Sequence, residues 1–507
     1  AVFLEGSITT VDAAIVISGQ TTTGDDGVHI ESGIVQATGT GTIQITGDGQ
    51  TSGVRNVSDV ISNSGSITIT SVDDDVLLAA GSNVTSTSGA VSIMADMTGG
   101  SGGALTMSDT AVVNAGSGQI SISADGSVTL GRVVTTNNTG SAIAVTSTTG
   151  QVIDGGDTGG SDLVATGANA VVTVTAANGI GAAGGLAADS AIETNVANLD
   201  ASAGAGNLDI DEANGITLVN VDTTNGSIRV DAGGQIVAMD VASGGGSGDN
   251  VTLSTTTGGI VATLVSSIDQ VKLNADAGDI LLGAVTAAST VTVTADTGSI
   301  NDAVDDSGSP VIDITATKIS LNAATGIGNT AAVELSGTSI GADNNGAGAV
   351  DIDNISASPV TVTSISTVGS PVNFDQSGGG SVTFTGPITS GTGATNGGNI
   401  TLNATSDLTI AASSAISSAD GIGGTLNISG AIVQGLPTVG AGNILITGGS
   451  LDTIVVNDVS TAASVTLSAL RDVLIGGVVT ATGATSDITI NADTDLDGVG
   501  GLQVGPD

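Results

Sequence analysis

The residues whose types and spacing best suit chemistry are three alternating carboxylates late in the sequence. Asp493, Asp495 and Asp497 are followed by Gly498, which gives a D-x-D-x-D-G string. Alternating carboxylates with a glycine turn are what a hard, oxygen-seeking cation such as Ca²⁺ requires. An EF-hand would place Glu at the twelfth position, where this chain has Val504. The string therefore predicts a calcium site in a looped β protein, and the alternative is a solvated acidic turn.

Two further aspartates hold equivalent places in a repeat. The segments VTLSTTTGGI, VKLNADAGDI and VTVTADTGSI begin at Val251, Val271 and Val291, with a constant spacing of 20 residues. If consecutive repeats stack, Asp276 and Asp296 lie about 5 Å apart, and like charges so placed repel each other. Bound cations or splayed side chains would relieve that repulsion. This pair is a second, weaker candidate for Ca²⁺.

The chain has few side chains that could serve other kinds of catalysis: one His, and six Lys and Arg residues together. A metal or general-base role is conceivable for His29, but a solvated strand residue is the simpler interpretation. Some β-helices cleave polysaccharides with paired carboxylates. Sugar subsites usually present aromatic faces, however, and only Phe3, Phe374 and Phe384 are available. The sequence therefore predicts a protein that is not an enzyme, with a polysaccharide-acting β-helix as the remote alternative.

The net charge of the chain excludes some classes of binding partner and favours others. The chain has 49 acidic residues against six basic ones, a formal net charge of −43. Nucleic acid is excluded as a partner because binding a phosphate backbone needs Lys or Arg, and divalent cations are the natural ligands. Asp supplies nearly all of the charge, which indicates turns, where its short side chain bonds nearby backbone.

Cysteine and long apolar stretches are both missing from the sequence. The lack of cysteine excludes disulfides and thiolate metal sites. No apolar run approaches the roughly 18 residues needed to cross a bilayer, so we expect no transmembrane segment.

The elements that position these residues follow from a repeated pattern: apolar, polar, apolar, polar, Ala, then Asp or Thr. It occurs at 120–125 and 488–493 as well as in the second and third segments above, and the first segment has Thr255 in place of Ala. Period-two alternation places the apolar residues on one face of a strand, and about 20 residues suit one coil of two or three short strands. The sequence therefore predicts an all-β parallel β-helix, or β-solenoid, with roughly 20–24 residues per turn. A mean of about 22 residues would give roughly 23 turns.

We expect one elongated repetitive β-solenoid over residues 1–507. Regularity weakens at 154–188 and 344–380, which indicates inserted loops or domain boundaries there. The alternative is a series of tandem β-sandwich domains. Such domains usually have a core Trp or a corner Tyr, and this chain has neither.

The repeats resemble those of filamentous haemagglutinin and related giant bacterial adhesins. The likeness is clearest in GDILLGAVTAASTVTVTADTGSI, residues 278–300, and GSVTLGRVVTTNNTGS, residues 126–141. In that family the repeats form a right-handed parallel β-helix that projects from the cell surface and supports attachment. The chain lacks the Asn-Pro-Asn-type motif of the family's secretion domain and an Arg-Gly-Asp triplet.

Composition and resemblance together lead to an expected function. We expect an extracellular, cell-surface structural protein: a rod-like subunit or segment of a filament, sheath or adhesin stalk. Its partners would be further copies of itself or neighbouring modules, since coil ends expose backbone that another strand can pair with. The alternatives are an adhesin module that binds host or matrix polymers and an acidic S-layer component.

Overall fold

The computed structural model describes residues 1–391 apart from four gaps, and shorter stretches beyond residue 391. The gaps are 101, 157–159, 182–189 and 305–310, and the later stretches are 398, 400–404, 408–410, 416–417, 426–433, 444–447, 453–461, 465–468, 472–476, 478–481, 487–494, 498 and 500–505.

The protein is all-β, and its strands stack in parallel as the coils of a β-solenoid of about 16 turns. The tandem-sandwich alternative is therefore wrong. The chain forms two compact units: the first is Ala1–Thr256 with Ser266–Ile268, and the second is Thr257–Val265 with Asp269–Asp507. Within the described residues, no helix is long and apolar enough to cross a membrane.

The strands of the first unit are short, mostly three to six residues. They are Val2–Leu4, Ile8–Thr10, Ile15–Gln20, Val28–Ile30, Ile34–Ala37, Ile43–Asp48, Val54–Asn56, Asp59–Ser62, Ile67–Ser71, Val76–Leu78, Asn83–Ser86, Val91–Ala95, Leu105–Met107, Val112–Asn114, Ile120–Ala124, Val128–Leu130, Arg132–Val134, Ile143–Ser147, Val152–Asp154, Leu163–Ala165, Val171–Ala176, Ile192–Val196, Asn198–Ala205, Leu208–Glu212, Ile216–Asn225, Ile228–Ala232, Ile236–Ala238, Val241–Ser243 and Val251–Thr255.

The second unit contains several longer strands, and Ile260–Ser267 contributes residues to both units. The remaining strands are Gln270–Ala275, Ile280–Ala287, Thr290–Ala295, Ile300–Asp302, Ile314–Ala323, Val333–Asn344, Val350–Ile355, Val360–Ser366, Val372–Ser377, Val382–Phe384, Ile388–Thr389, Ile400–Ala404, Leu408–Ile410, Ile416–Ser417, Leu426–Val433, Ile444–Thr447, Thr453–Thr461, Val465–Ser468, Asp472–Ile475, Val479–Ala481, Ile488–Asn491 and Leu502–Val504.

Alternation of apolar and polar residues builds the core of each coil. In the strand Ile43–Asp48 every second residue is buried, beginning with Ile43. Ile43 pairs in register with Ile15 of one neighbouring coil and Ile67 of the other. Like residues therefore stack on like residues, and the buried aliphatic side chains form continuous columns that need few aromatic rings.

Coil length varies more than the sequence predicts. Leu208 pairs with Ile228 after 20 residues, whereas Val76 pairs with Leu105 after 29. Loops between strands absorb the extra residues while the strand register is kept. Such longer coils contribute to a turn count below the roughly 23 expected from a uniform 22-residue coil.

Close contact between coil corners requires glycine at particular positions. Gly206 has a φ of +122°, a conformation that strains residues with a side chain. A Cβ atom at this position would lie 2.1 Å from the carbonyl oxygen of Asn178 on the neighbouring coil. Only glycine fits this corner without displacement of the backbone.

The core of the second unit contains two of the three aromatic residues. Phe374 and Phe384 are fully buried and meet edge to face, with ring centroids 5.7 Å apart. Edge-to-face contact is a favourable arrangement of two rings. These rings fill space that aliphatic side chains fill elsewhere in the columns.

Candidate functional site

The predicted calcium string lies only partly within the described residues. Asp495 and Asp497 lie outside them. Asp493 has a φ of +53°, and its Oδ1 accepts a hydrogen bond of 3.3 Å from the backbone N–H of Gly498. The positive φ is typical of aspartate in a tight turn. Ca²⁺ binding by this string stays a prediction.

The second candidate pair occupies matching corners of adjacent coils. Ala275 pairs in register with Ala295, so Asp276 and Asp296 follow at equivalent positions. Both aspartates are exposed. The carboxylate of Asp276 accepts a hydrogen bond of 3.0 Å from Nδ2 of Asn274. Solvent and this amide are available to relieve the repulsion, and cation binding here also stays a prediction.

The single histidine is held between two carboxylates. Nδ1 of His29 lies 3.1 Å from Asp26, and Nε2 lies 2.8 Å from Glu31. The edge of its ring meets the ring of Phe3, with centroids 4.9 Å apart. The imidazole is therefore more enclosed than the solvated strand residue expected from the sequence.

The most unusual polar site of the first unit is a pair of carboxyl groups, the buried Asp162 and the half-buried Glu193. Asp162 directly precedes the strand Leu163–Ala165, and Glu193 lies within the strand Ile192–Val196. The backbone N–H of Asp162 donates to the carbonyl oxygen of Glu193 (2.8 Å), and the N–H of Glu193 donates to Oδ2 of Asp162 (3.2 Å). The two side chains are also hydrogen-bonded to each other. Asp162 and Glu193 are called the first acid pair below.

A third carboxylate, Asp154, stands beside the first acid pair. Carboxylate oxygens of Asp154, Asp162 and Glu193 lie within 4.8 Å of one another. Burial, followed by the negative charges of Asp154 and Glu193, raises the pKa of Asp162 to about 9. The spacing alone fits either a divalent cation or a shared proton. Two ionised carboxylates this close repel each other, and one retained proton would turn the repulsion into a hydrogen bond.

The second unit contains the same arrangement in Asp313 and Glu334, called the second acid pair. The N–H of Asp313 donates to the carbonyl oxygen of Glu334 (2.9 Å), and the N–H of Glu334 donates to Oδ2 of Asp313 (3.0 Å). Both residues are at most 3% exposed, and their side chains are hydrogen-bonded to each other. Burial, with the charges of Asp302 and Glu334, raises the pKa of Asp313 to about 9.

The two acid pairs belong to a duplicated segment. AANGIG at 176–181 matches AATGIG at 323–328, and GAGNLDID at 204–211 matches GAGAVDID at 346–353. Ile180 forms isolated bridges with Val152 and Leu208, and Ile327 forms the same bridges with Ile300 and Val350. We call residues 150–212 the first acid segment and residues 298–354 the second acid segment. These short matching strings are the signal that sequence reasoning missed.

The coils that follow each acid pair continue it as a ladder of acidic residues. In the first unit Glu193 pairs with Asp211, which pairs with Asp231. In the second unit Glu334 pairs with Asp353, which pairs with Asp375. Each ladder therefore places acidic side chains at one position on three adjacent coils.

The two ladders differ in the residue that lies beside their acidic side chains. Arg229 lies opposite Asp209 and forms ion pairs with Asp209 (Nε, 2.6 Å), Asp211 (3.2 Å) and Asp231. Asn373 lies opposite Asp351 in the second unit, at the place that Arg229 holds in the first.

The second ladder has Asn373 in place of a guanidinium group, and it contains a carboxyl group with a raised pKa. Burial raises the pKa of Asp353 to about 6, and the charges of Asp375 and Asp351 add to this effect. Burial also raises the pKa of Asp211 in the first ladder, but there the guanidinium of Arg229 opposes the shift. The comparison identifies Arg229 as the residue that opposes the rise in the pKa of Asp211 in the first ladder.

No family model matches the chain, and searches of curated proteins and of solved structures also give no match. The β-solenoid agrees with the fold that the adhesin resemblance implies, and no match supports membership of that family.

Proposed function

We propose that the protein is a structural element of the cell exterior, serving as a shaft or spacer in a filament, sheath or adhesin stalk. The observation that supports this best is the continuity of the buried columns. In the first unit Ile120, Ile143, Val172 and Leu199 pair one after another on four consecutive coils. A core made by repetition lets each coil support the next, which suits a load-bearing spacer.

The surface is consistent with this function. Outward positions of the strand Thr290–Ala295 are threonines, which expose little apolar area. A net charge of −43 keeps such a surface soluble and separates it from other anionic surfaces. The extracellular location is supported by the resemblance to adhesin repeats. Pairing of coil ends with further copies or neighbouring modules would complete the assembly.

Electron microscopy combined with light scattering tests the proposal. We expect elongated particles of uniform width that join end to end as the concentration rises. Compact particles of one size at every concentration would contradict it. A matched pair of variants on one strand relates the assembly to the core: Ile122→Asp places a charge in the buried column, and Ser121→Asp places it on the exposed face. Only the first substitution should abolish the particles.

We also propose that Ca²⁺ binds to Asp493, Asp495 and Asp497 and stabilises the protein there. The support is the sequence spacing, which supplies three carboxylates and a glycine turn within six residues.

A further inference from the structure

We propose that the two acid pairs are proton clamps: each retains one proton between its carboxyl groups in neutral medium, and loss of that proton loosens the adjacent coils that the pair joins. This inference concerns the response of the protein to pH and is independent of the proposed structural function.

The position of each pair makes it a link between coils. In each pair the Asp N–H donates to the carbonyl oxygen of the Glu on the adjacent coil, and the Glu N–H donates back to the Asp carboxylate. Asp162 is 1% exposed and Glu193 is half-buried, so water screens the two carboxyl groups from each other only weakly. Two ionised carboxylates in contact at such a site repel strongly, whereas one shared proton turns the contact into a hydrogen bond.

Charged groups around the first acid pair do not replace the proton. Asp154 adds a negative charge, and Asp211 lies opposite Glu193 on the following coil. The cation nearest along that ladder, Arg229, is bonded to three aspartates. On the preceding coil Val133 donates its N–H to the carbonyl oxygen of Asp162, and its neighbour Arg132 is exposed to solvent.

The second acid pair has a similar environment. Asp302 contributes a negative charge, and Asp353 lies opposite Glu334 on the following coil. On the preceding coil Val285 donates its N–H to the carbonyl oxygen of Asp313, between the uncharged residues Ala284 and Thr286. Lys318, on the strand that Asp313 directly precedes, is exposed and pairs with Thr290 and Ser339, away from the pair.

The duplication supports a role for the pair itself. Glu212 of the first acid segment receives hydrogen bonds from Thr194 and from the N–H of Val196. Asn354 holds the same register position in the second acid segment, where it accepts a hydrogen bond from the N–H of Gly337. The neighbouring polar residue has changed from acid to amide, yet both copies keep the Asp–Glu contact.

The direction of the pH effect follows from linkage. The unfolded chain releases the proton at the ordinary aspartate pKa of 3.8, whereas burial raises the pKa of Asp162 and of Asp313 to about 9. Stability from each pair is therefore complete below the unfolded value, declines as the pH rises, and is lost above about pH 9. Between these limits each pair raises the unfolding equilibrium constant about tenfold per pH unit.

Infrared spectroscopy of the full chain in a chelating buffer tests the clamps directly. At pH 7 exposed carboxyl groups are ionised and Asp353, with a pKa of about 6, is mostly ionised, so a carbonyl stretch of protonated carboxylic acid reports chiefly the acid pairs. We expect this band in the wild-type protein and its loss as the pH rises through about 9. Asp162→Asn and Asp313→Asn should each weaken it, because the amide keeps the shape and donates to Glu without titrating. Asp276→Asn, at an exposed corner, should leave it unchanged.

Urea denaturation at several pH values gives an independent count of protons. Each Asn variant should lower the pH dependence of the unfolding equilibrium constant by about tenfold per pH unit relative to the wild type. Absence of the protonated band from the wild-type protein at pH 7 would overturn the proposal, and this measurement does not depend on whether the variants fold. Equal pH dependence in wild type and folded variants would overturn it as well.

Discussion

Removal of the cation from the first ladder is the perturbation with the clearest expected magnitude. Arg229→Asn gives the first ladder the residue that the second ladder already has in Asn373. The Arg229 side chain is 15% exposed, and the carboxylate of Asp209 is fully buried. Loss of one partner of a buried ion pair costs about 3–5 kcal/mol. Asp211 and Asp231 are partly exposed and add little, so we expect a loss of about 3 kcal/mol, mostly from Asp209.

Urea denaturation followed by far-UV circular dichroism measures this loss, since the chain has no Trp or Tyr for a fluorescence signal. The difference between variant and wild type should be largest at pH 7. It should shrink on acidification, because the aspartates left without a cation then take up protons. A difference below about 1 kcal/mol at pH 7 would show that Arg229 does not compensate the buried charge.

The reciprocal substitution is the matched control. Asn373→Arg brings a guanidinium to Asp351, Asp353 and Asp375, whose register matches that of the first ladder. We expect the pKa of Asp353 to fall from about 6 and stability at pH 7 to rise. A loss of stability from Asn373→Arg would mean that the two ladders are not equivalent.

Three further predictions concern the core, a corner and the calcium string. Phe374→Ala should cost about 3–5 kcal/mol in urea denaturation because it leaves a cavity, whereas Phe3→Ala at an exposed position should cost less than about 0.5 kcal/mol. Gly206→Ala should cost about 2 kcal/mol or more from the positive φ and the Asn178 contact, whereas Gly6→Ala, with open space around it, should be nearly neutral. Calorimetric titration with Ca²⁺ should give heat that Asp495→Ala abolishes, and no heat from the wild type would refute the site.

The sequence predicts the fold because the alternation of apolar and polar residues and the repeat period both indicate stacked β-strands. Ile120, Ile122 and Ala124 match the apolar positions of the repeat, and all three are buried. Val271 and Val291, which begin two of the aligned segments, pair in register. Coil length was predicted less well because loops between strands vary without changing the register, and a sequence period gives no measure of that freedom.

The acid pairs were missed for a physical reason. An excess of aspartate indicates turns, but Asp209 and Asp351 lie within strands and Asp162 is buried directly before one. Asp162 and Glu193 are 31 residues apart, so only the stacking of coils brings them together. The recurring GAG-x-x-DID string is the sequence signal for the acid pairs, since it marks two segments with the same hydrogen-bonding pattern.

The register between successive coils has a consequence for how this gene can change. Val271 and Val291 occupy the same place on adjacent coils. A deletion or duplication that begins and ends at such equivalent positions would join residues that already fit the same neighbours. Unequal recombination between similar repeats could thus alter the number of coils in one event while the hydrophobic core stays continuous.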